Sequence, residues 1–246
     1  MTERGNETTV VKFHSADTLP RRERNKQDRR SRILDAAEDL IRETGATDFS
    51  MALLAERAGL SGPTPYNLFG SKSGILYTLL NRSLDPVFTR QGSTRAEPDP
   101  IAHVLTSARI GADVFAEDPL FYRPLYQFLL GVGDPVHRPL FLDRSVGFWR
   151  GSLARLEAAG QMPVMLGRDQ IARLIVTHFM GTLDLWVQSE LNDDEFRAQI
   201  VYGVGVLLLG LANETQRSRL MARLRTLERR LPRGFAPSSR SREASA

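Results

Sequence analysis

Residues 29–84 read RRSRILDAAEDLIRETGATDFSMALLAERAGLSGPTPYNLFGSKSGILYTLLNRSL, and this stretch decides the fold. Three short helical patterns within it are separated by tight turns, and a fourth, longer pattern follows. A basic run precedes the first pattern. This order is typical of a small α-helical domain that inserts one helix into the major groove of DNA.

The limits of these helices can be predicted from their apolar spacing and their capping residues. Ser50 and Ser71 are predicted to cap the second and fourth helices. Ser61 is predicted to cap the third, two residues after Gly59 ends the second. So short a turn forces two helices to cross steeply, as in helix-turn-helix units. The first helix is expected to bury an apolar face made of Ile33, Leu34, Ala37, Leu40 and Ile41.

The third helix carries the side chains expected to face DNA. Phe69 is apolar enough to anchor it, whereas Thr64 and Tyr66 are expected to face outward. Hydroxyls and free N–H groups at a helix start suit phosphate oxygens. The ring of Pro65 is expected to contact a thymine methyl group.

Several spaced motifs of this stretch occur together in one known family. They are Ile33-Leu34-Asp35-Ala36-Ala37, Ala58-Gly59-Leu60-Ser61, Thr64-Pro65-Tyr66 with Phe69, and Ser71-Lys72. The stretch thereby resembles the tetracycline-repressor family of bacterial transcription regulators. Leu68 departs from the His or Tyr that is frequent there, and Ser73 from a frequent Glu. The second departure removes a negative charge that stabilises a helix N-terminus.

The resemblance implies an operator-binding homodimer with a ligand pocket in its larger helical domain. It implies that Thr64 approaches bases or phosphates and that Tyr66 and Lys72 bind phosphates. The full set of predicted DNA-binding residues is Arg29, Arg30, Ser50, Ser61, Gly62, Thr64, Pro65, Tyr66 and Lys72.

The composition and the positions of glycine and proline between helical segments predict an all-α protein. The 246 residues are 41% hydrophobic, which is enough for a sizeable core. No region shows the alternation of apolar and polar residues that is typical of a β-strand. We predict a flexible basic arm over 1–26, a helix-turn-helix domain over 27–82, a helical effector-binding and dimerisation domain over 83–231, and a disordered tail over 232–246. Three helices of the larger domain are predicted to begin with an Asp cap followed by Pro, at Asp99-Pro100, Asp118-Pro119 and Asp134-Pro135.

Two basic runs leave alternatives open. The run from Arg21 to Arg32 is either an arm that lies along phosphates or in the minor groove, or a solvated tail. The run from Arg217 to Arg233 shares a helix with Leu220 and Leu224. It is read mainly as the outer face of a docked terminal helix, and alternatively as a membrane-surface segment.

The larger domain is predicted to hold an apolar pocket with a few polar anchors. Helices between about 100 and 186 carry many bulky side chains, among them Phe115, Phe141 and Phe148. The pocket residues chosen are Arg109, Asp113, Phe121, Tyr122, Tyr126, Trp149, His178, Phe179 and Trp186. Glycines and apolar residues on the last two core helices allow close helix approach, and the resemblance implies that a second copy packs there; burial within a single chain is the alternative. The dimer residues chosen are Leu174, Gly181, Leu185, Gly203, Leu207 and Gly210.

Other classes of function find little support in the sequence. The chain has no cysteine, its four histidines lack metal-ligand spacing, and no catalytic motif occurs, so we predict neither a metal, a cofactor nor an enzyme. The apolar run Ile200–Ala212 is too short to span a bilayer and no secretory signal is evident, which favours the cytoplasm. We predict a repressor released by a small apolar or aromatic effector. The alternatives are an activator or a ligand-independent DNA-binding factor and, from a different class, a small-molecule binding protein or enzyme.

Overall fold

The computed structural model describes residues 20–87, 97–162, 167–232 and 234. Helices and their connections make up these residues, and no strand occurs among them, so the predicted all-α fold is confirmed. The helices are α1 (Arg21–Thr44), α2 (Met51–Arg57), α3 (Thr64–Phe69), α4 (Lys72–Ser83), α5 (Pro100–Ala116), α6 (Pro119–Gly131), α7 (His137–Ala158), α8 (Arg168–Val187), α9 (Asp193–Leu208) and α10 (Glu214–Glu228).

Helix α1 begins earlier than the sequence analysis expected. It starts at Arg21, directly after Pro20, so residues 21–26 of the predicted flexible arm are helical. Arg, Glu, Lys and Gln are good helix formers, and nothing between Pro20 and Arg29 interrupts them. The first nineteen residues and most of the predicted tail lie outside the described residues.

Local capping explains where α2 and α4 begin. The Ser50 hydroxyl accepts a hydrogen bond from Leu53 N at 3.1 Å, and the Ser71 hydroxyl accepts one from Gly74 N at 3.0 Å. The prediction for Ser61 is wrong, since α3 begins only at Thr64. Its hydroxyl bonds instead to that of Thr64 at 2.8 Å, because the turn after α2 is longer than predicted.

The three predicted Asp-Pro helix starts have different outcomes. Asp99 caps α5 by accepting from Ile101 N at 3.0 Å. Asp118 stands at the start of α6 but makes no such bond, because its carboxylate pairs with Arg42 of α1 at 2.6 Å. Asp134 accepts from the backbone N–H groups of Val136 and His137, and α7 begins at His137 rather than at Pro135.

The larger domain is built around α5, which is buried over most of its length between α7 and α9. Helix α10 docks on the same core through Leu220 and Leu224, and its arginines face outward, as the main interpretation of that basic run predicted. An Asn192–Glu195 capping box starts α9. Helix α4 connects the two halves of the chain and packs along α7.

Candidate nucleic-acid interface and ligand cavity

The turn between α2 and α3 gives the N-terminal helices their relative orientation. Gly59 adopts a left-handed conformation with φ +63°, and Leu60 N donates to Ala55 O at 2.9 Å. Pro65 and Phe69 lie one turn apart on α3 and are both buried. The opposite side of α3 is consequently exposed.

That exposed side presents polar groups. Tyr66 is 53% exposed, and Ser61 and Gly62 are exposed in the preceding turn, whereas Thr64 is partly buried. Asn67 lies beside Tyr66 on the same surface and was missed by the sequence analysis. Its position next to Tyr66 was the available signal, and a carboxamide can pair with the edge of adenine.

The structure corrects the expected role of Pro65. Its ring is buried beneath α3, because it shares the helix face of Phe69, and so it is not available to a thymine methyl group. Ser50 is exposed, but its hydroxyl is already the cap of α2.

The side chain of Lys72 is directed toward the protein rather than outward. Its Nζ donates to Phe49 O at 2.7 Å and lies 4.5 Å from the centre of the Phe49 ring and 5.5 Å from that of Phe128. Burial lowers the pKa of Lys72, although nearby Asp48 opposes the change. In this arrangement the ammonium group joins the N-terminal helices to α6, and a phosphate contact of Lys72 stays a prediction.

The two arginines predicted to bind DNA differ in whether their side chains face solvent or the protein. Arg29 is exposed, and its Nε donates to Asn25 O at 3.1 Å. Arg30 is half-buried, and its guanidinium donates to Leu68 O and lies 4.1 Å from the centre of the Phe69 ring. Among the described residues no carboxylate pairs with the guanidinium groups on the N-terminal turns of α1, which belong to Arg21, Arg22, Arg24 and Arg29.

An apolar cavity lies between α5, α6, α7 and α8 and reaches the end of α4. Its empty volume, including open solvent at its mouth, is about 540 Å³. Of the predicted pocket residues, Tyr126, Trp149 and Phe179 line it. The other lining residues are Leu84, Val87, Gly111, Phe115, Phe141, Ser145, Phe148, Val176 and Met180.

The hydroxyl groups of Tyr126 and Ser145 and the indole N–H of Trp149 interrupt this apolar wall. Tyr126 is almost fully buried, and within the described residues its hydroxyl has no hydrogen-bond partner. Burial raises the pKa of Tyr126 well above its ordinary value, so the phenol remains protonated. Ser145 donates to Phe141 O at 2.9 Å and retains its acceptor lone pairs. The cavity therefore offers a hydrogen-bond donor and an acceptor to a neutral molecule.

The remaining predicted pocket residues lie elsewhere, because each has a structural partner. Arg109 pairs with Asp113 on the surface at 2.8 Å, and the Nε2 of His178 lies 3.1 Å from Gln199 O. Burial lowers the pKa of His178. Phe121 packs edge-on against Tyr122, whose hydroxyl donates to Ser83 O. Trp186 donates to Asp193 at 2.8 Å and stacks on Phe196.

The lining residues that were not chosen from the sequence are Phe115, Phe141 and Phe148 and several residues that are neither aromatic nor charged. Leu84 and Val87 follow α4, and Val176 and Met180 belong to α8. Leu and Val are ordinary core residues in any sequence pattern, so no signal distinguished these four. Their positions matter because they bring the C-terminal end of α4 into contact with the cavity.

Helices α8 and α9 expose an apolar surface. Leu174 is 54% exposed, and Val206, which the sequence analysis did not choose, is 44% exposed. Gly181 and Gly210 are also exposed, with open space around them, while Leu185 and Leu207 are partly buried against the chain's own core.

Gly203 has a different structural role from the one predicted. A side chain at this position would overlap the His178 ring of the same chain, so glycine is required for the packing of α8 on α9. The predicted approach of a second copy is therefore not needed to explain it.

A cluster of polar contacts joins α4 to the start of α7. The Ser73 hydroxyl donates to Asp134 Oδ2 at 2.6 Å, and the His137 ring stacks on Tyr77. Burial tends to raise the pKa of Asp134, but hydrogen bonds from His137 N, Ser73 and the His137 ring lower it to about 2. Further along the same pair of helices, Arg144 donates to Asn81 O at 2.7 Å.

Two other kinds of site were sought in the part of the chain that the structure describes. It contains no group of three or more His, Cys, Asp or Glu side chains suited to a metal ion. It also contains no helix that is both long and apolar enough to cross a membrane.

Comparison with known proteins supports the interpretation of both halves. The family model described as bacterial regulatory proteins, tetR family, matches residues 33–77. The HTH-type transcriptional regulator EthR of Mycobacterium tuberculosis is 42% identical over 72 residues, which are 28% of this chain and 33% of EthR. The match thus spans about a third of the length of this curated relative.

Solved structures extend the likeness beyond the N-terminal helices. A putative TetR-family regulator from Syntrophomonas wolfei has a TM-score of 0.62 at 22% identity, over 76% of this chain and 98% of its own. FadR of Thermus thermophilus, a repressor solved in complex with lauroyl-CoA, has a TM-score of 0.65 at 18% identity. The match covers 75% of this chain and 96% of the FadR chain. At such identities the likeness shows the fold.

An N-terminal helix-turn-helix on a larger all-α domain defines a class of helix-turn-helix regulatory proteins. The matched motifs of residues 33–77 and the fold of the described chain together make the assignment specific. Residues 33–77 thus match the tetR family of bacterial regulatory proteins, and the described chain has the fold of solved regulators of that family.

Proposed function

We propose that the protein is a dimeric, operator-binding transcriptional repressor that a small, neutral, largely apolar effector releases from DNA. The polar surface of α3 carries the first half of the proposal. Tyr66 and Asn67 are exposed there, while Pro65 and Phe69 anchor the helix from below. A short anchored helix with an outward polar face suits insertion into the major groove.

Two such helices are needed for operator binding of the usual symmetry. Dimeric helix-turn-helix proteins bind half-sites about 34–36 Å apart, or multiples of that distance. The exposed apolar residues Leu174 and Val206 of α8 and α9 offer a surface for a second copy. An effector that prefers a different spacing of the two α3 helices weakens operator binding through that preference alone.

The tyrosine of α3 gives the sharpest test of the DNA-binding half. Tyr66→Phe should weaken binding to every duplex about tenfold, because it removes a hydroxyl suited to a charged phosphate. The measurement is fluorescence anisotropy on duplexes that tile the DNA beside the protein's own gene, at two salt concentrations. Tyr126→Phe is the matched control, since its hydroxyl lines the cavity and should leave DNA binding unchanged.

Saturable binding of the unmodified protein to one tile, with two chains per duplex and resistance to competitor DNA, supports the proposal. Weak, salt-sensitive binding to every tile counts against sequence-specific regulation. Equal affinity of Tyr66→Phe and the unmodified protein would remove Tyr66 from the interface.

The cavity indicates the chemical class of the effector. Among the described residues its wall holds no charged side chain, and its polar groups are the hydroxyls of Tyr126 and Ser145 and the indole N–H of Trp149. A buried charge without a partner is costly, so the cavity favours a neutral molecule with one hydrogen-bonding end. The complex of Thermus thermophilus FadR with lauroyl-CoA, which carries an apolar acyl chain, is consistent with an apolar effector.

Filling the cavity should abolish ligand uptake. Ser145→Trp places an indole ring in the cavity and should lower binding of Nile red, a neutral aromatic dye, at least about tenfold, while operator binding without dye persists. Dye fluorescence reports the uptake. Leu140→Trp adds the same ring to an exposed position of α7 and serves as the control. Equal dye binding by both variants would place the site elsewhere.

Leu84 and Val87 suggest how ligand and DNA binding are coupled. They follow α4 and line the cavity, and the opposite end of α4 adjoins α3. A ligand in the cavity therefore contacts the segment that leads to the DNA-binding helices. Coupling free energies of about 1–3 kcal/mol, typical of allosteric proteins, change affinity about 5- to 150-fold.

A further inference from the structure

Two arginines of α1 bond to the C-terminal ends of the two helices of the helix-turn-helix. Arg30 donates to Leu68 O near the end of α3 and lies over the Phe69 ring. Arg32 donates to Ala58 O at 2.6 Å and to Gly59 O at 2.9 Å, just after α2. Carbonyl groups at helix ends lack partners within the helix and carry partial negative charge, so a guanidinium is suited to both places.

The turn after α2 is shaped to admit Arg32. A Cβ atom on Gly59 would lie 2.7 Å from an Arg32 guanidinium nitrogen, and the φ of +63° independently favours glycine. The arginine and the turn therefore fit one another closely.

Helix α3 needs such external support because it is short. It has six residues, and an isolated helix of that length is not stable in water. Its direction must then come from tertiary contacts. Below it are the buried Pro65 and Phe69, and at its end is the Arg30 guanidinium, which contacts both the backbone and the Phe69 ring.

We infer that Arg30 and Arg32 are positioning residues for operator recognition: they fix the direction of α3 relative to α2 instead of binding phosphates. The inference rests on the proposed function. It replaces the sequence-based interpretation of Arg30 as a phosphate contact, and it leaves Arg29, exposed on the same helix, as the phosphate-binding neighbour.

The two roles differ in what they do to sequence specificity. A phosphate contact contributes equally on every sequence, and its loss lowers the salt slope of binding by about one. A positioning residue does not contact a phosphate, so its loss leaves the salt slope unchanged. Its loss does misdirect α3, and this weakens the complex with operator DNA more than the complex with non-specific DNA.

The test uses Arg30→Lys and Arg30→Met in the full chain. Affinity is measured by anisotropy at several salt concentrations, on the operator duplex and on a scrambled duplex of equal length. The readout is the ratio of the two affinities, which loss of folded protein does not change. Lysine keeps the charge but not the planar group that bonds Leu68 O while lying on Phe69. We expect both variants to lower the ratio about tenfold with an unchanged salt slope, and Arg32→Lys to do the same.

Arg29→Ala is the matched control, and it should weaken both duplexes equally and lower the slope by about one. A normal ratio for Arg30→Lys together with a reduced slope for Arg30→Met overturns the inference, since charge alone would then matter. Failure of the unmodified protein to prefer any duplex instead refutes the proposed function on which the inference rests.

Discussion

Replacing both Leu174 and Val206 by glutamate should convert the proposed dimer into monomers and lower operator affinity about a thousandfold. The two residues are the exposed apolar groups of α8 and α9. The helices are antiparallel, as the contacts of His178 with Gln199 and of Trp186 with Phe196 require. Leu174 and Val206 therefore lie toward the same end of the pair.

The size of the effect follows from the cost of losing one half-site. Four carboxylates in a two-fold interface would be buried without partners, which a close apolar contact cannot accommodate. A monomer keeps one recognition helix, and specific affinity exceeds non-specific affinity by at least about a thousandfold in typical DNA-binding proteins. Sedimentation equilibrium gives the oligomeric state, and anisotropy on the operator duplex gives the affinity.

The control carries the same charges at other exposed leucines. Leu120→Glu with Leu140→Glu alters α6 and α7, where the side chains are more exposed still. This variant should remain dimeric and bind the operator normally. If the Leu174 and Val206 variant also stays dimeric, the two copies meet through a different surface.

The N-terminal helices could be predicted from sequence because their signals are local. Ser50 and Ser71 are followed within three residues by the N–H groups that they cap, and the buried face of α1 follows from spacing alone. The start of α3 was missed by two residues. There the chain between Gly59 and Thr64 makes a longer turn, and Pro63 and Pro65 obscure the helical pattern.

The directions of long side chains could not be predicted in the same way. Lys72 and Arg30 were both assigned to phosphates, yet each points to a backbone carbonyl and an aromatic ring. Those partners are brought near by tertiary packing from other parts of the chain. Sequence spacing identifies the helix face of a residue but not what its several rotatable bonds reach.

The sequence predicted that the larger domain holds an apolar cavity, but it did not predict most of the residues that line it. Tyr126, Trp149 and Phe179, which were chosen from the aromatic residues of the larger domain, line the cavity. The chosen charged residues failed, since Arg109 and Asp113 satisfy each other at the surface. A cavity forms where helices fail to meet, and that depends on packing across the whole domain.

Ser73 illustrates how a departure from a motif can be compensated. The resemblance expects Glu there, and its absence removes a negative charge from the N-terminus of α4. In the structure the carboxylate of Asp134 comes from the loop before α7 and accepts the Ser73 hydrogen bond. A charge that the motif supplies within α4 is therefore supplied here from the larger domain.

Asp134→Asn should destabilise the protein by up to about 2 kcal/mol at neutral pH and by almost nothing near pH 2. The pKa of Asp134 is lowered from 3.8 to about 2 in the folded chain. Because the folded-state pKa is the lower one, ionised Asp134 stabilises the fold above about pH 4, and this contribution disappears as the pH falls toward 2.

Chemical denaturation of both proteins between pH 2 and 7 measures this difference in the free energy of unfolding. Asp143→Asn is the control, since Asp143 lies on α7 with its side chain exposed. It should follow the unmodified protein at every pH. A difference between Asp134→Asn and the unmodified protein that is the same at pH 2 and pH 7 would contradict an ionised Asp134 and indicate a purely steric effect.

The Asp134 carboxylate lies between the helix that lines the cavity and the helix that adjoins α3, so its contribution to stability bears on how the two are coupled. Asp134 caps the start of α7 through Val136 N and His137 N, and it holds the start of α4 through Ser73. Helix α7 lines the cavity and α4 adjoins the recognition helix, so the bond joins the two functional halves. The stability lost in Asp134→Asn at neutral pH is thus an upper limit on the free energy with which this contact keeps the DNA-binding helices in one position against the cavity.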